Sequence, residues 1–427
     1  MLIHKGFKFR LYPTTEQKSM LNQQAGNTRF LWNKLLELNL KTYKATKKYQ
    51  FAYDMIMSIP KLKEEFEFLK LSVAQSLQQV GRQLDKAIKH SFKKTTIKER
   101  SKKIAIAKTS KQKAKAYNFG RPKFKKKGCS DSFKIPQLFH IYKNSVKLPK
   151  MGKVRWIKHR NLQGKPKHLT ISKDGEQWFC SVTCEMNITD EQCSDKNLVG
   201  IDVGLKEFAT LSDNTTIKRK RHLNKYDKKL RREQRWLSRK VKGSQNRYKQ
   251  ILKVHRIHRR IKNTRNDFLH KTTSDMIAKY SGVILENLNI KGMMKNHKLA
   301  RSISDVGWYD FMRMLEYKCL WNSKHFIKIN KWFASSKICN ECGNKKVDLT
   351  LKDRIYKCEK CGNILDRDFN ASKNILDEGL KILKTKTTNS SKTTVGHTGS
   401  NACGDDKVTE LPSSSVVVYE AGKRIAG

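Results

Sequence analysis

Two cysteine pairs constrain this chain more tightly than any other local pattern. Cys339-x-x-Cys342 is followed, fifteen residues later, by Cys358-x-x-Cys361. Four thiolates at that spacing close around one tetrahedral zinc ion and leave no position for water, so the ion is structural and clips a short ribbon. Gly343 and Gly362 follow the second cysteine of each pair, where a knuckle turn needs backbone angles that a side chain resists. Disulfides are the competing reading. The remaining cysteines (Cys129, Cys180, Cys184, Cys193, Cys319 and Cys403) are irregularly spaced. The first residues alternate basic and apolar side chains without the apolar block of a secretory signal, which points to a reducing, cytoplasmic compartment. No run approaches the ~20 apolar residues of a membrane span, so no membrane partner is expected.

Charge limits the choice of partner. Ninety-two Lys and Arg against 38 Asp and Glu leave a formal +54 over 427 residues. A compact body with that excess repels itself unless a polyanion neutralises it, so a nucleic acid is the expected partner. The length predicts two to four domains at roughly 100–200 residues each, and 37% hydrophobic residues can fill several cores. A disordered polybasic tail is thereby excluded as a description of the whole.

Along the chain, residues 5–11 alternate as a half-buried strand, and Thr14-x-x-Gln17 reads as a capping box opening a helix striped by Met20, Leu21, Phe30, Leu31, Leu35 and Leu36. Amphipathic helix continues to about residue 90. Residues 89–127 carry sixteen Lys and Arg with one acid, Glu99, and end with Tyr117, Phe119 and Phe124. Taken alone this is either a solvated loop or a nucleic-acid contact; aromatics interleaved with cations favour contact. Strands dominate 130–187, where Trp178, Cys180, Val182 and Cys184 share one face of a hairpin. Residues 218–265 hold 21 Lys and Arg against two acids. Leu230, Leu237, Val241, Tyr248 and Leu252 recur at helical multiples with Gly243 as a corner, so a helix or helical hairpin facing phosphates is predicted. Beyond residue 386 the composition turns to Ser, Thr, Gly and Asn, which predicts a disordered tail.

A second chemical signal is dispersed. Leu198-Val199-Gly200-Ile201-Asp202-Val203-Gly204 sets an acid inside an apolar strand, with Gly204 expected to permit a sharp turn. Val283-Ile284-Leu285-Glu286 delivers another at a strand end, and Asp366-Arg367-Asp368 supplies two at a helix start just past the second cysteine pair. A buried, unpaired carboxylate costs several kcal/mol, so each needs a cation. A single such acid is most often an ion-paired core residue. Three at element ends can instead converge on two divalent ions about 3.5–4 Å apart, a site for phosphodiester hydrolysis. Oxygen ligands favour Mg²⁺ or Mn²⁺. No Ser/His/Asp set, phosphate-cradling glycine loop or His-x-His pair with a tyrosine nucleophile competes.

Together, Gly200-Ile201-Asp202-x-Gly204-x-Lys206-x-Phe208, the Glu286 strand, Ser335-Ser336-x-x-Cys339-x-x-Cys342-Gly343 and Cys358-x-x-Cys361-Gly362 leading to Asp366-Arg367-Asp368-x-Asn370-Ala371 resemble the TnpB family, transposon-encoded RNA-guided nucleases related to type V CRISPR effectors. Lys8-Phe9-Arg10-Leu11-Tyr12-Pro13-Thr14 and Gly120-Arg121-Pro122-x-Phe124-Lys125 also fit, so the resemblance spans about residues 5–383. It implies a multidomain α/β chain with an RNase H-like RuvC nuclease fold (196–336 and 364–385) holding an inserted zinc ribbon (337–363). It also implies a strand-rich wedge domain (1–14 and 119–195) interrupted by a helical recognition lobe (15–118), with the tail at 386–427. By motif position Asp202, Glu286 and Asp368 are the catalytic acids and the ligands of two Mg²⁺ (or Mn²⁺) ions, with Asp366 beside them. Cys339, Cys342, Cys358 and Cys361 hold one zinc ion. The implied partners are a guide RNA from the transposon end and double-stranded target DNA with a short flanking motif, bound by one protein with its RNA, in the cytoplasm and on the nucleoid when engaged with DNA.

Three other readings compete. A nuclease-silent RNA-guided repressor would lack one of the three acids, and all are present. A transposase that joins DNA ends would need the absent His-x-His and tyrosine. A plain RNA chaperone explains the charge but not the acids beside apolar runs.

Overall fold

The computed structural model describes residues 1–128, 131–188, 195–346, 348–350, 353–391 and 417–418. Two compact units divide the chain, one of residues 2–187 with 414–427 and one of residue 1 with 188–413.

The first unit opens with β1 (Leu2–Tyr12), which Pro13 ends. Thr14 then caps α1 (Thr15–Thr46), its hydroxyl accepting the Gln17 N–H while Gln17 reaches back to the Thr14 N–H. Helices α2 (Ala52–Met57), α3 (Ile59–Glu65), α4 (Ala74–Ser91), α5 (Lys94–Ile106) and α6 (Ser110–Tyr117) follow. The chain returns as β2 (Ser132–Ile135), β3 (His140–Ile141), β4 (Ser145–Leu148), β5 (Gly152–Ile157), β6 (Lys165–Asp174) and β7 (Gln177–Asn187). Their order is β2-β6-β7-β1-β5-β4-β3, every neighbouring pair antiparallel, and Val417–Val418 adds to β1 in parallel. Phe9, Ile135, Trp156, Ile171, Cys180 and Val182 fill one core with Leu21 and Ala25 of α1. Further along α1, Leu31, Leu35 and Leu36 pack on Leu77, Leu84 and Ile88 of α4 in a second. Each such buried side chain contributes about 1.5–3 kcal/mol.

One reading for this unit needs refinement. Most of the basic run 89–127 is helical, as α5 and α6, and not an irregular loop. Its end is strapped to α1 by a Trp32 indole N–H to Lys123 O (2.9 Å) and by paired Asn33–Lys125 bonds (3.0 and 2.7 Å).

The second unit is built on β8 (Leu198–Val203), β9 (Ala209–Leu211), β10 (Thr216–Ile217), β11 (Gly282–Glu286) and β12 (His325–Ile329). Their order is β10-β9-β8-β11-β12; β9 is antiparallel to both β10 and β8, while β8, β11 and β12 run parallel. Between β10 and β11 stand α7 (His222–Ser238) and α8 (Gln245–Lys279), which turn at Gly243 with φ +88°. Leu230 meets Val254, Ile257 and Ile261, with Leu237 half-buried against them. The predicted stripe is thus corrected: Val241 is exposed in the turn between the helices and Tyr248 is exposed on α8, because Gly243 resets the helical phase. Then come α9 (Ile290–Met293), α10 (His297–Val306) and α11 (Trp308–Trp321), and after β12 a two-stranded ribbon, β13 (Ile355–Lys357) with β14 (Ile364–Asp366), leads into α12 (Arg367–Ser391).

Helix α12 crosses one sheet face so closely that glycines are required. A Cβ on Gly200 of β8 would lie 2.1 Å from Ser372 O, and one on Gly379 of α12 would lie 2.4 Å from the Ile284 side chain. Gly204, expected to be the turn-permitting residue, needs no left-handed backbone. Cys180, Cys184 and Cys319 are buried and free; Cys129, Cys193 and Cys403 lie outside the described residues, as does most of the expected tail beyond Ser391. Among the described residues no helix is long and apolar enough to cross a membrane.

Candidate active site and metal centre

Strand register brings the first two acids together. Ile201 pairs with Leu285 across parallel β8 and β11, so Asp202 and Glu286 are the next residues at the same end of adjacent strands, which lie about 4.8 Å apart. Side chains alternate along a strand. Asp202 therefore shares the face of Gly200, and Glu286 shares that of Ile284, the face against α12. Ser372, pressed on Gly200, is one helical turn (~6 Å) past Asp368. Three elements distant in sequence thus aim their acids at one end of one sheet face.

Burial, then the neighbouring carboxylates of Glu286 and Asp368, push the Asp202 carboxyl up to about 8. Burial also raises Glu286, opposed by the Ser335 hydroxyl that donates to its Oε1. Asp368 is held by Arg367, whose Nη2 lies 3.0 Å from its Oδ1, while Arg354 Nη1 stands 3.7 Å from the other oxygen. Asp366 plays a different part, because its Oδ1 accepts the N–H groups of Asp368 (2.9 Å) and Phe369 (3.1 Å) and so caps α12.

The cysteines meet as a second cluster. Among the described residues, Cys339, Cys342, Cys358 and Cys361 are the one group of three or more metal-ligating side chains whose ligand atoms all lie within 4.8 Å of one another. The three carboxylates do not form a group that tight; the Ser335 hydroxyl donates to Glu286 and the Arg367 guanidinium to Asp368. Sulfur pairs Cys339–Cys361 and Cys342–Cys358 are 3.6 Å apart, against the roughly 3.8 Å expected for a tetrahedron with ~2.3 Å zinc–sulfur bonds. The two knuckles repeat the same bonds. Gly343 N–H donates to Cys339 O and Cys339 N–H to Asn344 O, both 2.9 Å; Gly362 and Asn363 do likewise around Cys358, at 3.1 and 2.9 Å. Gly343 and Gly362 have φ of +72° and +71°.

A buried amide network joins the two clusters. Asn370 accepts the Asn340 N–H (3.0 Å) and donates to Ile338 O (2.7 Å), while Asn374 donates to Ser335 O. Both asparagines are buried on α12. Sequence reasoning places Ser335 and Asn370 within motifs but gives them no role, and it misses Asn374. Asparagines one turn apart on a helix that begins with the candidate acid are the available signal.

A cationic surface runs along α7. Lys228, Lys229, Arg231, Arg232, Arg235, Trp236 and Arg239 line an open concavity of about 700 Å³. The segment's two acids do not face outward freely: Asp227 is paired with Arg231 and Arg301, and Glu233 is buried against Gln250 (2.8 Å).

Known proteins resemble the chain along most of its length. A protein named "Putative RNA-guided DNA endonuclease" from Streptomyces pristinaespiralis is 34% identical over 384 residues, covering 88% of this chain and 90% of the relative. The chain belongs to the TnpB family. A second relative, "Putative RNA-guided DNA endonuclease InsQ" from Escherichia coli (strain K12), is 31% identical over 398 residues, covering 89% and 93%. Family models described as "Probable transposase", "Cas12f1-like, TNB domain" and "Helix-turn-helix domain" match residues 181–297, 308–375 and 1–48. A solved Cas12f1–sgRNA–target DNA complex is more distant, with 16% identity and a TM-score of 0.44 over 88% of this chain and 98% of that one. In this member of the TnpB family the three acids and the four cysteines all fall within the first two of those matched segments.

Proposed function

We propose that this chain is a transposon-encoded RNA-guided DNA endonuclease that cuts target DNA by metal-dependent phosphodiester hydrolysis in one site. The observation that carries the reading is the convergence of Asp202, Glu286 and Asp368, from two parallel strands and a helix start, on one sheet end. Burial and two neighbouring carboxylates push Asp202 up to about 8, so a cation held there would favour its charged form, and the all-oxygen donors suit Mg²⁺ or Mn²⁺. Two such ions, when bound, would supply an activated water and stabilisation of the leaving oxygen. Asp202, Glu286 and Asp368 would hold them, with Ser335 orienting Glu286 and Arg367 releasing Asp368. The sheet order, three antiparallel strands followed by two parallel ones with a helix across the face, supports an RNase H-like RuvC fold. The four cysteines would hold one structural zinc.

Guide RNA from the transposon end and its DNA partner would neutralise the +54. Basic, acid-poor α7 is suited to their backbone, since an A-form heteroduplex is held by shape and phosphates and not by sequence. The strand-rich and helical parts of residues 2–187 would serve as wedge and recognition lobe and read the short flanking motif. One protein per RNA in the cytoplasm is the assembly we expect. The silent-repressor alternative is disfavoured because none of the three acids has been lost.

The test is to co-express the chain with its native flanking DNA, sequence the RNA that copurifies, and challenge the particle with a plasmid library randomised beside the target. A single RNA species ending in guide sequence, with cleavage dependent on one short motif and on Mg²⁺, is expected. No bound RNA, or cleavage indifferent to guide sequence, would refute the reading.

A further inference from the structure

Trp332 is 82% exposed, the most exposed large hydrophobic side chain among the described residues. Its loop is not loose. The Trp332 N–H donates to Asn330 Oδ1 at 3.0 Å, and the Phe333 N–H donates to Asn330 O at 3.1 Å. Phe333 itself turns inward onto the core of Ile284, Ile327, Ile329 and Ile375. Adjacent aromatics are therefore split, one packed under the sheet and one held out in water. Lys331 covers one face of the indole, 4.4 Å from the ring centroid, and leaves the other open.

The position of that ring matters. Three residues further on, Ser335 donates to Glu286. Three residues of chain reach at most about 11 Å, roughly three nucleotides of stacked strand at ~3.4 Å each. A flat apolar ring with a cation on one side suits a nucleobase, whose phosphate the lysine can meet. In a duplex every base face is already occupied, so the ring fits a base freed from its neighbour.

We infer that Trp332 stacks on an unpaired base of the DNA strand entering the acidic site, within a few nucleotides of the bond to be cut. The inference rests on the endonuclease reading above and adds a positioning residue that holds the strand in single-stranded form. Trp332 acts through the base, while Asp202, Glu286 and Asp368 act at the phosphate.

The experiment uses full-length protein carrying its copurified RNA, and target-strand oligonucleotides with 2-aminopurine at successive positions across the cut. Fluorescence is read on Asp202→Ala particles, which keep the strand intact, with and without Trp332→Leu or Trp332→Phe; kinetics are read on particles with Asp202 intact. Quenching at one or two adjacent positions is expected with Trp332, retained with Trp332→Phe and lost with Trp332→Leu. The KM for single-stranded target should rise roughly tenfold in Trp332→Leu, with kcat within about twofold and melting temperature unchanged. A flat quenching profile with Trp332, or a Trp332→Leu particle matching its parent in both profile and KM, overturns the stacking. A particle with Asp202 intact that cuts nothing sinks the endonuclease reading instead, and the quenching profile still decides the stacking.

Discussion

Asn374 holds the backbone of Ser335: its Nδ2 donates to the Ser335 carbonyl at 2.7 Å, and the same group reaches Ile338 O at 2.6 Å. One amide on α12 thereby ties the segment that orients Glu286 to the segment that enters the first cysteine knuckle. Removing it leaves two carbonyls without that donor. Asn374→Leu should cost about 1–3 kcal/mol in urea unfolding and lower cleavage further than the stability loss explains, with zinc content unchanged. Wild-type cleavage in that variant would show that the tie does not position the site.

Proton release is expected when a divalent ion binds. Asp202 sits at about 8, far above the usual carboxylate range, because burial and two neighbouring acids disfavour its charge. The folded state then keeps a proton that the unfolded chain loses near pH 4. Stability from this group is full below about pH 4 and declines as pH rises towards 8. Titration calorimetry of Mg²⁺ at pH 7 in buffers of different ionisation enthalpy should show net proton release, with affinity rising up to about pH 8. Asp202→Asn should abolish the release. Mg²⁺ binding with no proton exchange would contradict the assignment.

Zinc removal should unfold more than the ribbon. Asn340 of the first knuckle donates through its backbone to Asn370 and through its side chain to Asp377 (2.6 Å), so the knuckle anchors α12. Chelation, or Cys358→Ser, should lower the melting temperature because binding energy at a structural zinc is folding energy. Cleavage should fall with it. An unchanged melting curve after verified zinc loss would dismiss the ribbon.

Salt should report on α7. Replacing Lys228, Arg232 and Arg235 with Gln should flatten the dependence of RNA affinity on salt by roughly 0.7–0.9 log units for each phosphate no longer neutralised. Melting should hardly change, since these side chains lie on an open surface. An unaltered slope would move the RNA-binding surface elsewhere.

The cysteine spacing and the three strand-end or helix-start acids were legible in the sequence because each breaks a local rule: unpaired thiols at fixed intervals, and carboxylates within apolar runs. Partners that obey local rules were not. Ser335, Asn370 and Asn374 look like ordinary polar residues until tertiary packing buries their bonds. The sequence singles out Gly204 for a sharp turn but gives Gly200 no role, because the crowding at Gly200 comes from α12, 172 residues later at Ser372. The stripe is wrong at Val241, in the turn, and at Tyr248, on α8, because a left-handed glycine between two helices resets their phase. Helices α5 and α6 are invisible to periodicity, because sixteen cations mask a weak apolar period, and only the resemblance places a helical lobe over 15–118.

Cleavage of a guide-matched plasmid in Mg²⁺ by RNA-loaded particles of the wild type, Asp202→Ala, Glu286→Ala and Asp368→Ala tests the central claim most directly. Wild-type particles should linearise the plasmid, and each variant should lose at least about a thousandfold in rate while copurifying the same amount of the same RNA. Any of the three cutting at the wild-type rate would contradict the account.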